Sequence, residues 1–315
     1  MLSQLLSIVS LDRIFKGVPV FRRIKFGVGS IAGQTEQLFP ASRSVTPNAI
    51  LIERYPLKVA AESETFDEIG AHIVANATVF YNRRFSPMLV GRNCILPERR
   101  EPGPWDFGKS GSYRKPGSVM FQSQKTIGFR SGFTRRKLSE ALYIGTSAPD
   151  NYYHWLINAL PALHLANNSA IVPENAPVLI PEILRTRRQL VEALELVANT
   201  RPIEYFRMSE SIHVRRLFMI DPPPVYDTPL SQNQKDRRPL TMHRDAINSF
   251  RAQILRCIGT KAGEVATERL FLLRPKGDPR AGNQEELLRV SESFGFRGVS
   301  AEMMSFVEQV ELFSR

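Results

Sequence analysis

Apolar positions in the first half of the chain fall in short, strand-like runs, and in the second half such runs alternate with helical patterns. Between 50 and 99 the apolar runs 77–80 and 88–90 are bounded by Asn, Arg, Pro and Gly, which predicts strands separated by turns. Residues 97–132 are rich in Gly, Pro, Ser and basic side chains and read as an extended surface loop region. A strand is predicted over 138–144, then a turn over 145–150, then a helix capped by Asp150 or Asn151. Further on the pattern gives a strand over 178–180, an amphipathic helix over 181–198 and a strand over 212–220. Asp221 and three prolines end that strand. Residues 229–239 read as a linker and 242–258 as a helix. The last segment runs strand 270–273, helix 283–294, strand 296–300, helix 305–313. Such alternation predicts a parallel α/β unit, whose crossovers need further strands beside them. The sequence stops at Arg315 before any such strand. This unit is therefore expected to be incomplete, with unpaired strand edges and the apolar face of Phe306, Val310 and Phe313 exposed, a surface that promotes association.

Composition narrows the class. The 315 residues are 43% hydrophobic and 23% charged, enough for two domains with ordinary cores and unlike a disordered chain. The two cysteines, Cys94 and Cys257, lie far apart with no zinc-type spacing, which argues against a disulfide framework or structural zinc and points weakly to a reducing compartment. A net charge of +11 favours anionic partners. The cations are dispersed in pairs such as Arg22-Arg23, Arg83-Arg84, Arg135-Arg136 and Arg215-Arg216, with no nucleic-acid-binding motif. A solvated basic surface is the ordinary reading, and no nucleic-acid partner is expected. No run of 18 apolar residues predicts a membrane-spanning helix, and the apolar stretch 2–11 precedes the positive charges, unlike a secretory leader. The first thirty residues mix apolar side chains with Arg13, Lys16, Arg22, Arg23 and Lys25 against one acid, Asp12. Two readings stand side by side: a segment bound at an anionic lipid surface, or a short helix docked on the protein's own core. Gly27-Val28-Gly29 lacks phosphate-loop spacing and reads as a turn.

The chemistry concentrates in Asn151-Tyr152-Tyr153-His154-Trp155-Leu156-Ile157-Asn158-Ala159-Leu160-Pro161. Helical spacing puts Tyr152, Trp155, Leu156, Ala159 and Leu163 on one stripe and Asn151, His154 and Asn158 on the other side. His154 and Asn158, four apart, can face a cleft together, and an imidazole titrating near neutral pH can accept a proton from a sugar hydroxyl. Pro161 removes an amide donor and so frees the Ile157 carbonyl. From spacing alone, side chains that are merely solvated or locally hydrogen-bonded are the commoner outcome.

Read as N-Y-Y-H-W-L-x-N-x-L-P, this stretch resembles the hallmark of glycosyltransferase family 61, which includes capsular polysaccharide biosynthesis proteins. Two further matches follow in the family's order. One is Arg269-Leu270-Phe271-Leu272-Leu273-Arg274 with Arg280, Asn283 and Glu285-Glu286-Leu287; the other is Gly295-Phe296 with Ser305-Phe306-Val307-Glu308-Gln309-Val310-Glu311-Leu312-Phe313. The resemblance implies an α/β fold of GT-B type, two Rossmann-like domains across a cleft, with the C-terminal one incomplete here. It further implies inverting transfer from a nucleotide-sugar donor to a polysaccharide or glycolipid acceptor, usually without a bound metal. No Asp-x-Asp motif suggests a metal site, and no cofactor is expected. On this reading His154 and Asn158 are catalytic, while Asn151, Tyr153 and Trp155 bind the acceptor. Arg274, Lys276, Arg280 and Asn283 hold the donor diphosphate, through guanidinium and ammonium groups suited to phosphate oxygens. Asn283 equally suits a helix cap before Gln284-Glu285-Glu286.

The resemblance divides the chain into a basic segment at 1–45, an acceptor-side domain at 46–235 and a donor-side domain at 236–315. A cytoplasmic protein, peripheral at the inner face of the plasma membrane, is expected. There are two departures. Family members commonly carry aspartate where this chain has Asn158, and an amide cannot act as a general base. Members also continue from the last helix into a strand and a glycine-rich loop at the donor site. A shortened, non-catalytic binding protein is therefore the second reading, and a basic nucleic-acid binder, which would need strongly salt-dependent binding, is the third.

Overall fold

The structure, a computed structural model, describes residues 21–26, 35–39, 42–43, 65–66, 69–80, 88–90, 93–95, 119–122, 126–130, 134–144, 149–207, 210–221, 224–225, 241–259, 268–275, 277–278 and 281–314. Residues 1–20, the turns at 27–29 and 145–148, the linker 229–239, Lys276 and Arg280 lie outside the described residues. In chain order the strands are β1 (Phe21–Phe26), β2 (Thr35–Phe39), β3 (Ser42–Arg43), β4 (Thr65–Phe66), β5 (Ile69–Phe80), β6 (Met88–Val90), β7 (Asn93–Ile95), β8 (Val119–Gln122) and β9 (Thr126–Arg130). They continue with β10 (Thr134–Tyr143), β11 (Val178–Pro181), β12 (Ile203–Phe206), β13 (Glu210–Ile220), β14 (Pro224–Val225), β15 (Thr241–Met242), β16 (Arg269–Leu272) and β17 (Phe296–Val299). The helices are α1, in three pieces (Tyr152–His154, Trp155–Ala159 and Leu160–Asn167), α2 (Arg188–Ala198), α3 (Arg244–Ile258), α4 (Gln284–Ser293) and α5 (Phe306–Ser314).

The fold is mixed α/β. Eleven strands make the main sheet, and one end of it is four parallel strands in the order β12-β11-β10-β13. β13 then pairs antiparallel with β5, and β6, β7, β1, β9 and β8 continue beyond it as a largely antiparallel wing, while β2 also pairs with β5. Parallel neighbours need a crossover, and α1 and α2 supply those from β10 to β11 and from β11 to β12. The step to β13 is different. Only residues 207–209 separate β12 from β13, and Glu210 N donates to Arg207 O (3.0 Å) across that turn. The first unit thus begins like a Rossmann sheet and continues without the helical crossover that a doubly wound sheet would place there.

Both faces of the central strands are buried, as period-two alternation in a covered sheet requires. Leu142, Val178, Ile180, Phe218 and Ile220 join the helices in one cluster, and Ala141, Tyr143, Leu179, Leu217 and Met219 join a second with Val74, Ala77, Val79, Phe206, Ile212 and Val214. α2 buries Leu190, Ala193, Leu194, Val197 and Ala198, the stripe expected of an amphipathic helix. Its predicted first turns are instead a 3-10 helix, Glu182–Thr186, because Arg187 adopts extended dihedrals (φ −120°, ψ 90°) between the two.

The core crosses the boundary expected at 235. Ala246, Phe250 and Ile254 of α3 and Phe306 of α5 belong to the same cluster as α1 and α2. This corrects the expectation of an exposed face of Phe306, Val310 and Phe313 on the last helix: Phe306 is 3% exposed and Val310 packs against the core, and of the three Phe313, at 51%, is in solvent. β16 and β17 pair parallel as a two-stranded sheet of their own, with α4 against β17. Gly298 permits that approach, since a Cβ there would lie 2.9 Å from Leu288 Cδ1. The exposed apolar residues of this unit are Leu272, Leu287, Val290 and Phe294.

Candidate active site

The N-terminus of α1 follows the carboxyl end of β10, the edge at which open α/β sheets carry their ligands. Asn151 is extended (φ −92°, ψ 121°), and its side-chain oxygen accepts from Tyr153 N (3.0 Å) and His154 N (3.5 Å), an N-cap that holds the first turn. Trp155–Ala159 then widens into a π turn, with Leu160 N bonded to Trp155 O. Proline explains the placement: Pro161 has no N–H for Ile157 O, and its ring crowds that carbonyl unless the preceding turn opens.

The structure brings His154 and Asn158 together through a side-chain hydrogen bond. His154 is half-buried and Asn158 only 4% exposed, so the imidazole rests on an amide that is itself part of the interior. Burial pushes the His154 pKa below its ordinary value, and the bond to Asn158 pulls the other way by stabilising the protonated ring. At neutral pH the ring is therefore uncharged and able to take up a proton. Tyr153, 43% exposed, stands edge-on to it with ring centroids 5.6 Å apart, and Asn151 is exposed beside them. These four side chains offer hydrogen-bonding groups and an aromatic face of the kind that sugars use.

Trp155 sits elsewhere. It is 1% exposed, and its indole donates to Leu190 O of α2 (3.1 Å). That position supports α1 from beneath and gives an acceptor no access to the ring, which corrects the expectation of a contact from Trp155.

Of the donor-side residues, Arg274 and Asn283 are described and both are exposed, on the loop between β16 and α4. Gln284 ties that loop, accepting from Arg274 N (2.5 Å) and donating to Arg274 O (3.2 Å). The Arg274 guanidinium is paired loosely with Asp278 (3.5 Å). Asn283 holds the N-cap position without a side-chain cap bond, and Leu287 N donates to its carbonyl (3.1 Å). Glu285 and Glu286 in the first turn complement the positive end of α4. An arginine on a loop before a helix N-terminus is suited to phosphate oxygens.

Spacing had not shown how α5 meets the site. Gln309, 6% exposed, accepts a hydrogen bond from the Tyr152 hydroxyl. The long, buried amide in an otherwise amphipathic helix was the available signal. Tyr152 itself, expected on the buried stripe, has a 38% exposed side chain whose hydroxyl end is the covered part. Among the described residues no group of three His, Cys, Asp or Glu side chains is placed to hold a metal ion, and no helix is long and apolar enough to cross a membrane.

The capped polar turn at the sheet's carboxyl edge opens the stretch of sequence that a family of sugar-transferring enzymes shares. The family described as Glycosyltransferase 61 matches residues 152–315, just over half of the 315 residues and the whole span from α1 onward. The chain belongs to glycosyltransferase family 61. Neither a curated protein nor a solved structure matches it.

Proposed function

We propose that the chain moves a sugar from a nucleotide-sugar donor to a surface polysaccharide or glycolipid acceptor, inverting the anomeric centre and using no bound metal. The observation that carries this reading is the neutral, half-buried His154 bonded to Asn158 at the start of the family-matching region. In the proposed step the His154 imidazole takes the proton of the acceptor hydroxyl as its oxygen bonds to the anomeric carbon. The bond from that carbon to the diphosphate breaks, and its electron pair leaves with the nucleotide. Arg274, with Lys276 and Arg280 from the same loop, would stabilise the charge that develops there, and Asn283 would orient the phosphates. Asn151 and Tyr153 would hold the acceptor, and Asn158 would keep the imidazole turned toward it. The β16–α4–β17 unit supports a donor side of GT-B type.

The test is a panel of UDP-, GDP-, ADP- and TDP-sugars incubated with the chain, with nucleoside diphosphate release followed by phosphorus NMR. Release from at least one donor, lost by about 10²-fold or more in His154→Gln as expected for a general base, supports the reading. Absence of both turnover and nucleotide binding across the panel would sink it. The second reading, a non-catalytic binding protein, is favoured by the amide at 158, and acceptor binding without turnover would select it.

A cytoplasmic location at the inner face of the membrane belongs to the same proposal, and the basic segment 1–45 supports it. Co-sedimentation with phosphatidylserine vesicles at low salt, absent with phosphatidylcholine alone, is the expected result.

A further inference from the structure

One side chain carries the C-terminal helix to the site helix. Gln309 receives the Tyr152 hydroxyl on Oε1, while its Nε2 donates to Ala301 O (2.7 Å) and Met304 O (3.3 Å). Both amide protons are committed to carbonyls, so the end of the amide that faces Tyr152 must be the oxygen. Rotating the amide end for end would set oxygen against two carbonyl oxygens. Tyr152 is thereby the donor, and burial of its hydroxyl pushes its pKa up to about 12, so it keeps its proton.

Residues 301–309 are fastened at other points too. Gln189 of α2 donates to Glu302 O (2.5 Å) and Met304 O (3.1 Å), Glu192 accepts from Phe306 N (2.7 Å), and the Phe306 ring enters the core. These bonds hold the segment to α2, and that with Tyr152 passes from it to α1. Tyr152 is the first residue of α1, between the Asn151 cap and His154. The same segment leads directly out of β17, so it joins the end of the donor-side unit to the first turn of the acceptor-side helix.

We propose that Gln309 is a positioning residue for sugar transfer, holding Tyr152 so that the first turn of α1 keeps Asn151 and His154 aimed at the acceptor. This rests on the transfer reading above. Gln309 touches no substrate; it acts through Tyr152. The apolar cluster that closes the fold contains Phe306 and the buried face of α1 but neither Tyr152 nor Gln309, so loss of the bond between them is expected to register in alignment before it registers in stability.

Tyr152→Phe removes only the hydroxyl, and Gln309→Leu removes the acceptor at similar volume. In the full chain, each variant is expected to lower kcat with a donor from the panel by about 5- to 20-fold, the effect of losing the part-buried hydrogen bond between Tyr152 and Gln309. Donor KM should stay within about twofold, since alignment and not uniform binding is lost. The double variant should be no slower than the worse single, because Gln309→Leu already removes the link that Tyr152→Phe breaks. Backbone hydrogen exchange gives a readout independent of turnover: amides 152–156 should exchange faster in both variants while 160–167 stay protected. Wild-type kcat in Tyr152→Phe, additive losses in the double variant, or unchanged exchange at 152–156 would overturn the proposal. Should Gln309→Leu fail to fold, Tyr152→Phe decides alone. A wild-type chain inert toward every donor would remove the transfer reading, and the exchange pattern would then still accept or reject the link itself.

Discussion

Asn158→Asp is the substitution whose outcome the site geometry determines most closely. Asn158 is 4% exposed and hydrogen-bonded to His154, whose pKa burial has already lowered. Replacing the amide by a carboxylate keeps the shape and places a negative charge at hydrogen-bond distance from the imidazole. An opposite charge that close raises a histidine pKa by about 1–3 units, and the half-exposed ring puts the effect at the lower end, about 1–2 units or about 1.4–2.7 kcal/mol. That upward shift opposes the wild-type lowering. In the wild type the folded ring titrates below the unfolded value of about 6.5, so its contribution to stability is present above that pH and is lost as pH falls below it. In the variant the carboxylate favours the protonated ring, so the loss of stability on acidification should be smaller than in the wild type. At pH 8 the variant is left with an unneutralised buried carboxylate and should be less stable than the wild type. Heteronuclear NMR titration of the His154 ring, with urea denaturation at pH 5.5 and pH 8, measures both effects. The acid limb of the transfer rate should move up with the ring. A ring that titrates at or below its wild-type midpoint in the variant would refute the proposed contact.

Other parts of the structure give equally direct expectations. Arg201, 5% exposed, donates to Asn167 Oδ1 (2.8 Å), Pro173 O (2.7 Å) and Ala176 O (2.9 Å), so Arg201→Ala should cost about 3–5 kcal/mol in urea denaturation by leaving buried acceptors unmatched. His164, buried against Ser249 at 2.9 Å with its pKa lowered by burial and by Arg256, should contribute to a fall in melting temperature below pH 6.5 that His164→Gln flattens. Gly298→Ala should destabilise the β16–β17 unit by about 1–2 kcal/mol through the clash with Leu288, and Leu288→Ala should relieve part of it in a double-variant cycle. Leu287, Val290 and Phe294 should bind a hydrophobic dye and drive concentration-dependent light scattering, both reduced when all three become Gln.

Regular alternation made the second half of the fold legible. Strands at 178–181, 210–220, 269–272 and 296–299 and the helices α3, α4 and α5 follow the predicted runs within a few residues, because their apolar positions recur at the strand or helix period. Shorter strands escaped. β12 has four residues, three of them only partly buried, and β8 and β9 fall in the Gly-rich stretch read as loop, β9 with Gly128 inside it. β1, at 21–26, replaces a helix in one of the two readings of the N-terminal segment. β5 extends well before the predicted 77–80, and Ile69, Ala71 and Val74 are buried in its earlier part. At the site, the pairing of His154 with Asn158 was readable from a spacing of four, whereas the burial of Trp155 and the reach of Gln309 were not. Both depend on which neighbour covers a face, and a helical wheel holds no information about the neighbour.

The π turn at Trp155–Ala159 makes the aim of the active-site side chains a matter of phase. Its C-terminal continuation, Leu160–Asn167, is locked into the core, so whatever the turn does is expressed at the other end. Deleting one residue from it would restore an ordinary α-helix and rotate everything before it by about 100° about the axis. His154 would then swing off its amide, and the turn capped by Asn151 would rotate with it, while Leu160–Asn167 stayed in place. A substitution along this helix changes one side chain; a change in its count re-aims them all.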